Sequence, residues 1–193
     1  LEDSSIEWCG GTLSTRYLRI VPGRNFYQTT VQCENLNLAQ VMTELGLVRA
    51  EGAGRAWGKM PIRFSDRGMF FNTSYLYSIP GESASIKVSD ADVLLNNMSP
   101  ELAHSIQGEL TVAALQDFQY NWARMNFVTE DEDLVVNLKF NGKPKNVLPF
   151  RYETETGSLV RVSADAGAIF QGIDLDFTAR FPLNRMMKLS QRL

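Results

Sequence analysis

Between Ile169 and Phe181 the chain alternates with a period of two. Ile173, Leu175, Phe177, Ala179 and Phe181 fall on one parity, and Gly172, Asp174, Asp176, Thr178 and Arg180 on the other. Successive side chains of a strand point to opposite faces, so the run predicts a strand with one dry and one wet side. Leu134, Val136, Leu138 and Phe140 repeat the pattern opposite Asn137 and Lys139, with a stop expected at the turn-forming pair Asn141-Gly142. Met69, Phe71, Tyr75, Tyr77 and Ile79 do so again ahead of Pro80-Gly81. Thr12 to Val21 and Phe26 to Cys33 read as a hairpin around Pro22-Gly23-Arg24-Asn25.

Helical spacing is confined to three places. Asn37 caps a short helix in which Leu38, Val41, Met42 and Leu45 share a face and Gly46 supplies the exit. Ser99-Pro100 opens a second, expected over 99–116, with Leu102, Ile106 and Leu110 on one side and Gly108 weakening its middle. Leu183 to Leu193 is the third. The expectation is a mainly β fold with a few short helices: a curved antiparallel sheet or open β-groove, with helices covering one face or the ends. Its 193 residues, 44% of them apolar, suffice for one β-rich domain over 1–193. Met60-Pro61-Ile62-Arg63-Phe64 and Leu148-Pro149-Phe150-Arg151-Tyr152, each followed by a polar turn and a glycine, echo one another as strand-turn-strand units.

Composition removes several functions. A net charge of −3 lacks the counter-charge that binding nucleic-acid phosphates requires. No stretch reaches the roughly 18 apolar residues of a membrane-spanning helix. His104, the sole histidine, lies inside the second expected helix and reads as a solvated or packed residue, not a general base. Cys9 and Cys33 leave a disulfide open. Glu130 to Asp133 lack the spacing of a calcium loop and read as a solvated hairpin tip. Gly52, Gly54 and Gly58 fit neither a dinucleotide fingerprint nor a P-loop, and read as relief for bends in a curved sheet. No catalytic residue, metal ligand or cofactor is assigned.

Arg185, Lys188 and Arg192 fall at helical spacing opposite Leu183, Met186, Met187 and Leu193. A basic amphipathic helix suits contact with a membrane surface or a partner protein. It equally suits a packed end of a sheet whose cations compensate the helix dipole.

The ordered segments Leu36 to Val41, Gly52 to Phe64, Gly68, Pro80-Gly81-Glu82, Ala114 to Tyr120, Leu134 to Pro144, Gln171 to Asp176 and Pro182-Leu183-Asn184 together resemble the YdbH-like family. That resemblance implies membership of the AsmA-like group, which includes TamB-related envelope proteins of Gram-negative bacteria. It implies a periplasmic location, an inner-membrane anchor in a missing N-terminal region, and long β-grooves that carry phospholipid to the outer membrane. It would make this chain the C-terminal part, with no catalytic residues to transfer. The family also carries a dicarboxylate-transport label, for which the chain offers no polytopic carrier pattern.

Three readings follow. In the first, a non-enzymatic lipid-transfer segment, Met69, Phe71, Tyr75, Tyr77, Leu134, Val136, Leu138, Phe140, Ile173, Leu175 and Phe177 line a groove for acyl chains. In the second, a docking domain with a filled core binds an envelope protein through edge strands or the basic helix. In the third, an enzyme, His104 or Glu130 to Glu132 would carry an activity. Alternation alone does not separate a lined groove from a packed core, and a one-residue slip would exchange inner and outer sets.

Overall fold

The computed structural model describes residues 4–20, 23 and 26–185. Fourteen strands and four α-helices follow in order: β1 (Ser4–Trp8), β2 (Gly11–Thr15), β3 (Leu18–Ile20), β4 (Phe26–Asn37), α1 (Leu38–Glu44), β5 (Ala50–Ala53), β6 (Arg55–Ser65), β7 (Gly68–Phe71), β8 (Ser74–Tyr77), β9 (Ala84–Val88), α2 (Asp92–Asn97), α3 (Pro100–Ala103), α4 (Ile106–Leu115), β10 (Phe118–Glu130), β11 (Asp133–Pro144), β12 (Phe150–Glu153), β13 (Ser158–Arg161) and β14 (Ile173–Phe181). The fold is mainly β, a strongly curled antiparallel half-barrel with short helices. The sheet's main path runs β1-β2-β4-β6-β8-β10-β11-β14, and β12-β13 form a separate hairpin.

The alternating runs form strands, with register set by side-chain parity. Leu134, Val136, Leu138 and Phe140 pair with Phe181, Ala179, Phe177 and Leu175, so all eight share the inner face. On the outer face Asn137 donates to Asp176 at 2.9 Å, Lys139 meets Asp176 at 2.6 Å, and Asn141 donates to Asp174 at 2.7 Å. One strand runs further than expected. β11 passes through Asn141-Gly142 to Pro144, because β10 carries a bulge between Tyr120 and Trp122 opposite them. A Cβ at Gly142 would lie 2.1 Å from the Gln119 carbonyl oxygen, so glycine there serves close strand approach, not a turn.

Two expected strands are split. The run 69–79 breaks at Asn72-Thr73 into β7 and β8, both pairing with β6 but offset by one residue. Thr12 to Val21 divides into β2 and β3, again with a one-residue offset against β4. There the Thr29 hydroxyl donates to the Tyr17 carbonyl at 2.9 Å, satisfying backbone that the ladder leaves. The two echoing segments both form hairpins, closing at Ser65 and Gly68 and at Glu153 and Ser158.

α1 forms as expected: the Asn37 side chain accepts the Gln40 N–H at 3.1 Å, and Gly46 takes φ +69°. The helix expected over 99–116 is two. Ser99 caps α3 with Pro100 in its first turn, then the Ser105 hydroxyl donates to the Leu102 carbonyl at 2.7 Å and accepts the Gly108 N–H at 3.1 Å, restarting the chain as α4. Gly108 is required there, since a Cβ would stand 2.2 Å from the Leu102 carbonyl oxygen. α2 carried no expectation; it has six residues and no side-chain cap, so no start signal marks it.

α2 and α4 pack onto β14 and β11, and α1 onto β4 and β5. The core is richest under these helices, where Phe118, Tyr120 and Phe140 meet edge to face at 6.3 and 5.5 Å, with Leu94, Leu115, Leu148 and Phe150 buried around them. No helix among the described residues is long and apolar enough to cross a membrane.

Candidate functional site: an apolar row across the inner face

Ladder registers place one residue from each main-path strand on a single line across the inner face: Ile6, Leu13, Cys33, Gly58, Leu76, Met125, Leu138 and Phe177. None of the eight carries a charged or hydrogen-bonding polar side chain apart from the Cys33 thiol, so the line is an apolar stripe the full width of the sheet. Its covering changes along its length. Leu76, Met125 and Leu138 are fully buried and Phe177 nearly so, whereas Leu13 is half-buried and Ile6 is 64% exposed.

The sheet therefore has a filled half and an uncovered half. Over β9, β11 and β14 the sheet is covered by α2 and α4, with β13 packed against α4. Toward the β1-β2 edge and the Tyr27 end of β4 it presents Ile6, Leu13, Val31, Tyr27 at 50% exposure and Phe64 at 39%, while Cys33, Met60, Ile62 and Phe71 of the same face are buried. A shallow apolar cleft of about 150 Å³ lies here, between Ser4, Ile6, Leu13, Ser14, Thr15 and Val31.

The groove candidates from the sequence distribute over both halves and both faces. Leu134, Val136, Leu138, Phe140, Leu175 and Phe177 share the inner face of the filled half and are buried in the core, while Ile173 at the strand's start is half-buried. Phe71 is buried on the inner face, edge to face with Phe127 at 5.1 Å, and Met69 is half-buried beside it. Tyr75 and Tyr77 do not share that face. The offset between β7 and β8 turns Ser74 and Leu76 inward and sends the two tyrosines outward, where their rings stack at 6.3 Å and Tyr77 is 45% exposed. This is the register slip to which an alternation argument is vulnerable.

Of the basic C-terminal residues, Arg185 binds Asp133 at 3.1 Å, while Lys188 and Arg192 lie outside the described residues. The four-acid run closes the β10-β11 hairpin with Asp131 at φ +56°, and Arg180 compensates Glu130 at 2.6 Å. His104 sits at the C-terminal end of α3. No cluster of three His, Cys, Asp or Glu able to hold a metal occurs among the described residues. Gly52 lies on β5, Gly58 on β6 and Gly54 between them, and Cβ atoms at Gly52 and Gly58 would collide with the Ser85 and Tyr75 carbonyl oxygens. Cys9 and Cys33 are both free thiols, and burial pushes Cys33 up to about 12.

The sequence reading missed the uncovered half of the stripe. The signal was present in the odd positions Tyr27, Thr29, Val31 and Cys33 and in the pair Ile6 and Trp8. What strand periodicity does not encode is which part of an inner face the helices will cover. In comparisons with known proteins, no family matches the chain, and no curated protein or solved structure matches it either.

Proposed function

We propose that this chain is a non-enzymatic segment of a lipid-transfer protein of the YdbH-like kind, acting between the inner and outer membranes of a Gram-negative envelope. In this reading the margin of the inner face that carries Ile6, Leu13, Tyr27 and Val31 takes lipid acyl chains, and the covered remainder is a packed plug at one end of the groove. The observation that carries it is the apolar stripe, which leaves the core at Cys33 and runs out to Ile6 without meeting a charge. An acyl chain laid along it gains about 0.8 kcal/mol per methylene removed from water.

The packed half favours a second reading, a docking domain that binds an envelope protein and no lipid. Native mass spectrometry of the protein purified from a Gram-negative host, with extraction and identification of lipid, separates the two. The exposed positions suit the variants: Ile6→Glu and Tyr27→Glu should abolish co-purifying phospholipid while circular dichroism stays unchanged. Leu175 and Phe177 do not serve, because charges there would enter the core. A lipid-free, stably folded wild-type protein would overturn the groove and leave the docking reading.

A further inference from the structure

A second cleft, of about 510 Å³, opens at the turn end of the sheet between the β6-β7 hairpin and the β10-β11 turn. One wall carries Arg63, Arg67, Phe70 and Asp66; the other carries Asp131 and Glu132. We propose that this cleft binds a zwitterion made of a phosphoester and a primary ammonium, as in phosphoethanolamine. The argument is independent of the acyl groove, because Arg63 and Phe70 pair across the ladder on the outer face.

Three features build the site. The Arg63 guanidinium carbon lies over the Phe70 ring, 5.1 Å from its centroid, a cation–π contact that positions a cation able to bind an oxyanion on this wall. The outer acids of the β10-β11 hairpin are already matched, Glu130 by Arg180 and Asp133 by Arg185, whereas these ion pairs take up none of Arg63, Arg67, Asp66 or Asp131. The spacing of the walls is fixed from within by fully buried Asn184: its Oδ1 accepts the Met69 N–H at 2.9 Å and its own N–H donates to the Glu132 carbonyl at 3.2 Å.

The charge pattern selects the ligand. Arg63 and Arg67 stand with Asp66 and Asp131 in the lining, so the cleft presents both signs of charge and a ligand of one sign leaves the other unmatched. Positive and negative groups stand on facing walls, so a ligand with both charges satisfies each, and either half alone satisfies one.

The experiment titrates phosphoethanolamine into the labelled protein and follows the backbone amides of 65–68 and 131–132 by NMR. The amides should shift at about tenfold lower concentration than with sn-glycerol 3-phosphate or ethanolamine, each of which supplies one half. Arg63→Gln should remove the advantage over ethanolamine, and Asp131→Asn the advantage over glycerol phosphate; both positions are exposed, so the fold is retained. Flotation with phosphatidylglycerol vesicles, with and without phosphatidylethanolamine, identifies the carrier. Recruitment that requires phosphatidylethanolamine and is lost in Arg63→Gln makes the ligand a lipid headgroup, and soluble binding alone makes it a free metabolite. Equal binding of glycerol phosphate or of ethanolamine, or no shift with any probe, overturns the proposal.

Discussion

Asn184 Oδ1 accepts the Met69 N–H at 2.9 Å across 115 residues of chain. β7 pairs with β6 on one side only, and on its other side it faces β10 without a ladder. Two side chains supply acceptors there: Thr129 Oγ1 takes the Phe71 N–H at 2.9 Å, and Asn184 takes that of Met69. Removing one should therefore open the seam locally. Asn184→Ala is expected to cost about 1–2 kcal/mol by urea denaturation, the value of a buried hydrogen bond lost to one partner. Hydrogen exchange at Met69 should accelerate, while exchange within the β11-β14 ladder is unaffected. Unchanged protection at Met69 would show that the seam is held by something other than Asn184.

Gly54 offers a sharper test of close packing. A Cβ there would stand 1.8 Å from the Tyr120 hydroxyl oxygen and 3.0 Å from the Ala84 Cβ. Gly54→Ala should destabilise by about 1–3 kcal/mol, the usual cost of overpacking. Since the nearest atom is the hydroxyl itself, Tyr120→Phe should recover a large part of that loss, giving a favourable coupling in the double-mutant cycle. Additive single effects would mean that the strand, and not the tyrosine, gives way.

The strand parities of 134–140 and 173–181 predicted the inner and outer faces of β11 and β14, because those runs are long and unbroken. The strand break at Asn72-Thr73 defeated the same argument, since parity carries no information across a one-residue offset. Gly142 and Gly108 were read as a turn and a weak helix position. Both are places where a facing carbonyl excludes a side chain, which only the assembled sheet and helix pair reveal. The cleft of Arg63 and Asp131 was equally invisible, because its walls are 68 residues apart and meet through hairpin lengths that composition does not specify.

The outer-face pair Lys139 and Asp176 should contribute little despite its 2.6 Å contact. Both side chains are about half exposed, and such pairs are worth about 0–1 kcal/mol. The hydrogen bond from Lys139 holds the Asp176 carboxyl below its ordinary value of 3.8 against the opposing effect of burial, with the Asn137 hydrogen bond and the Lys139 charge adding to the lowering. A depressed carboxylate stabilises the fold above its unfolded value, and that contribution is lost as pH falls through the folded one. Lys139→Met should lower stability at pH 7 by no more than about 1 kcal/mol, with the difference from wild type shrinking below pH 4 and with added salt. A loss of several kcal/mol would mean that the pair organises the β11-β14 ladder.

At high pH the buried groups act in the opposite direction. Burial raises the Cys33 thiol from 9.0 to about 12 and the Tyr120 phenol from 10.0 to about 12. Each keeps its proton longer in the folded protein than in the unfolded chain. Unfolding between pH 9 and 12 therefore releases protons, and stability must fall as pH rises through that window. Below about pH 8 both groups are neutral in either state and contribute no slope. Urea midpoints measured from pH 7 to pH 11 should stay level to about pH 8 and then decline, more steeply in wild type than in Cys33→Ala or Tyr120→Phe. Native Cys33, at 2% exposure, should also resist alkylation at pH 8 until denaturant is added. Prompt labelling under native conditions would show that the inner face opens at Cys33, the point where the apolar stripe passes from the core to the uncovered half of the sheet.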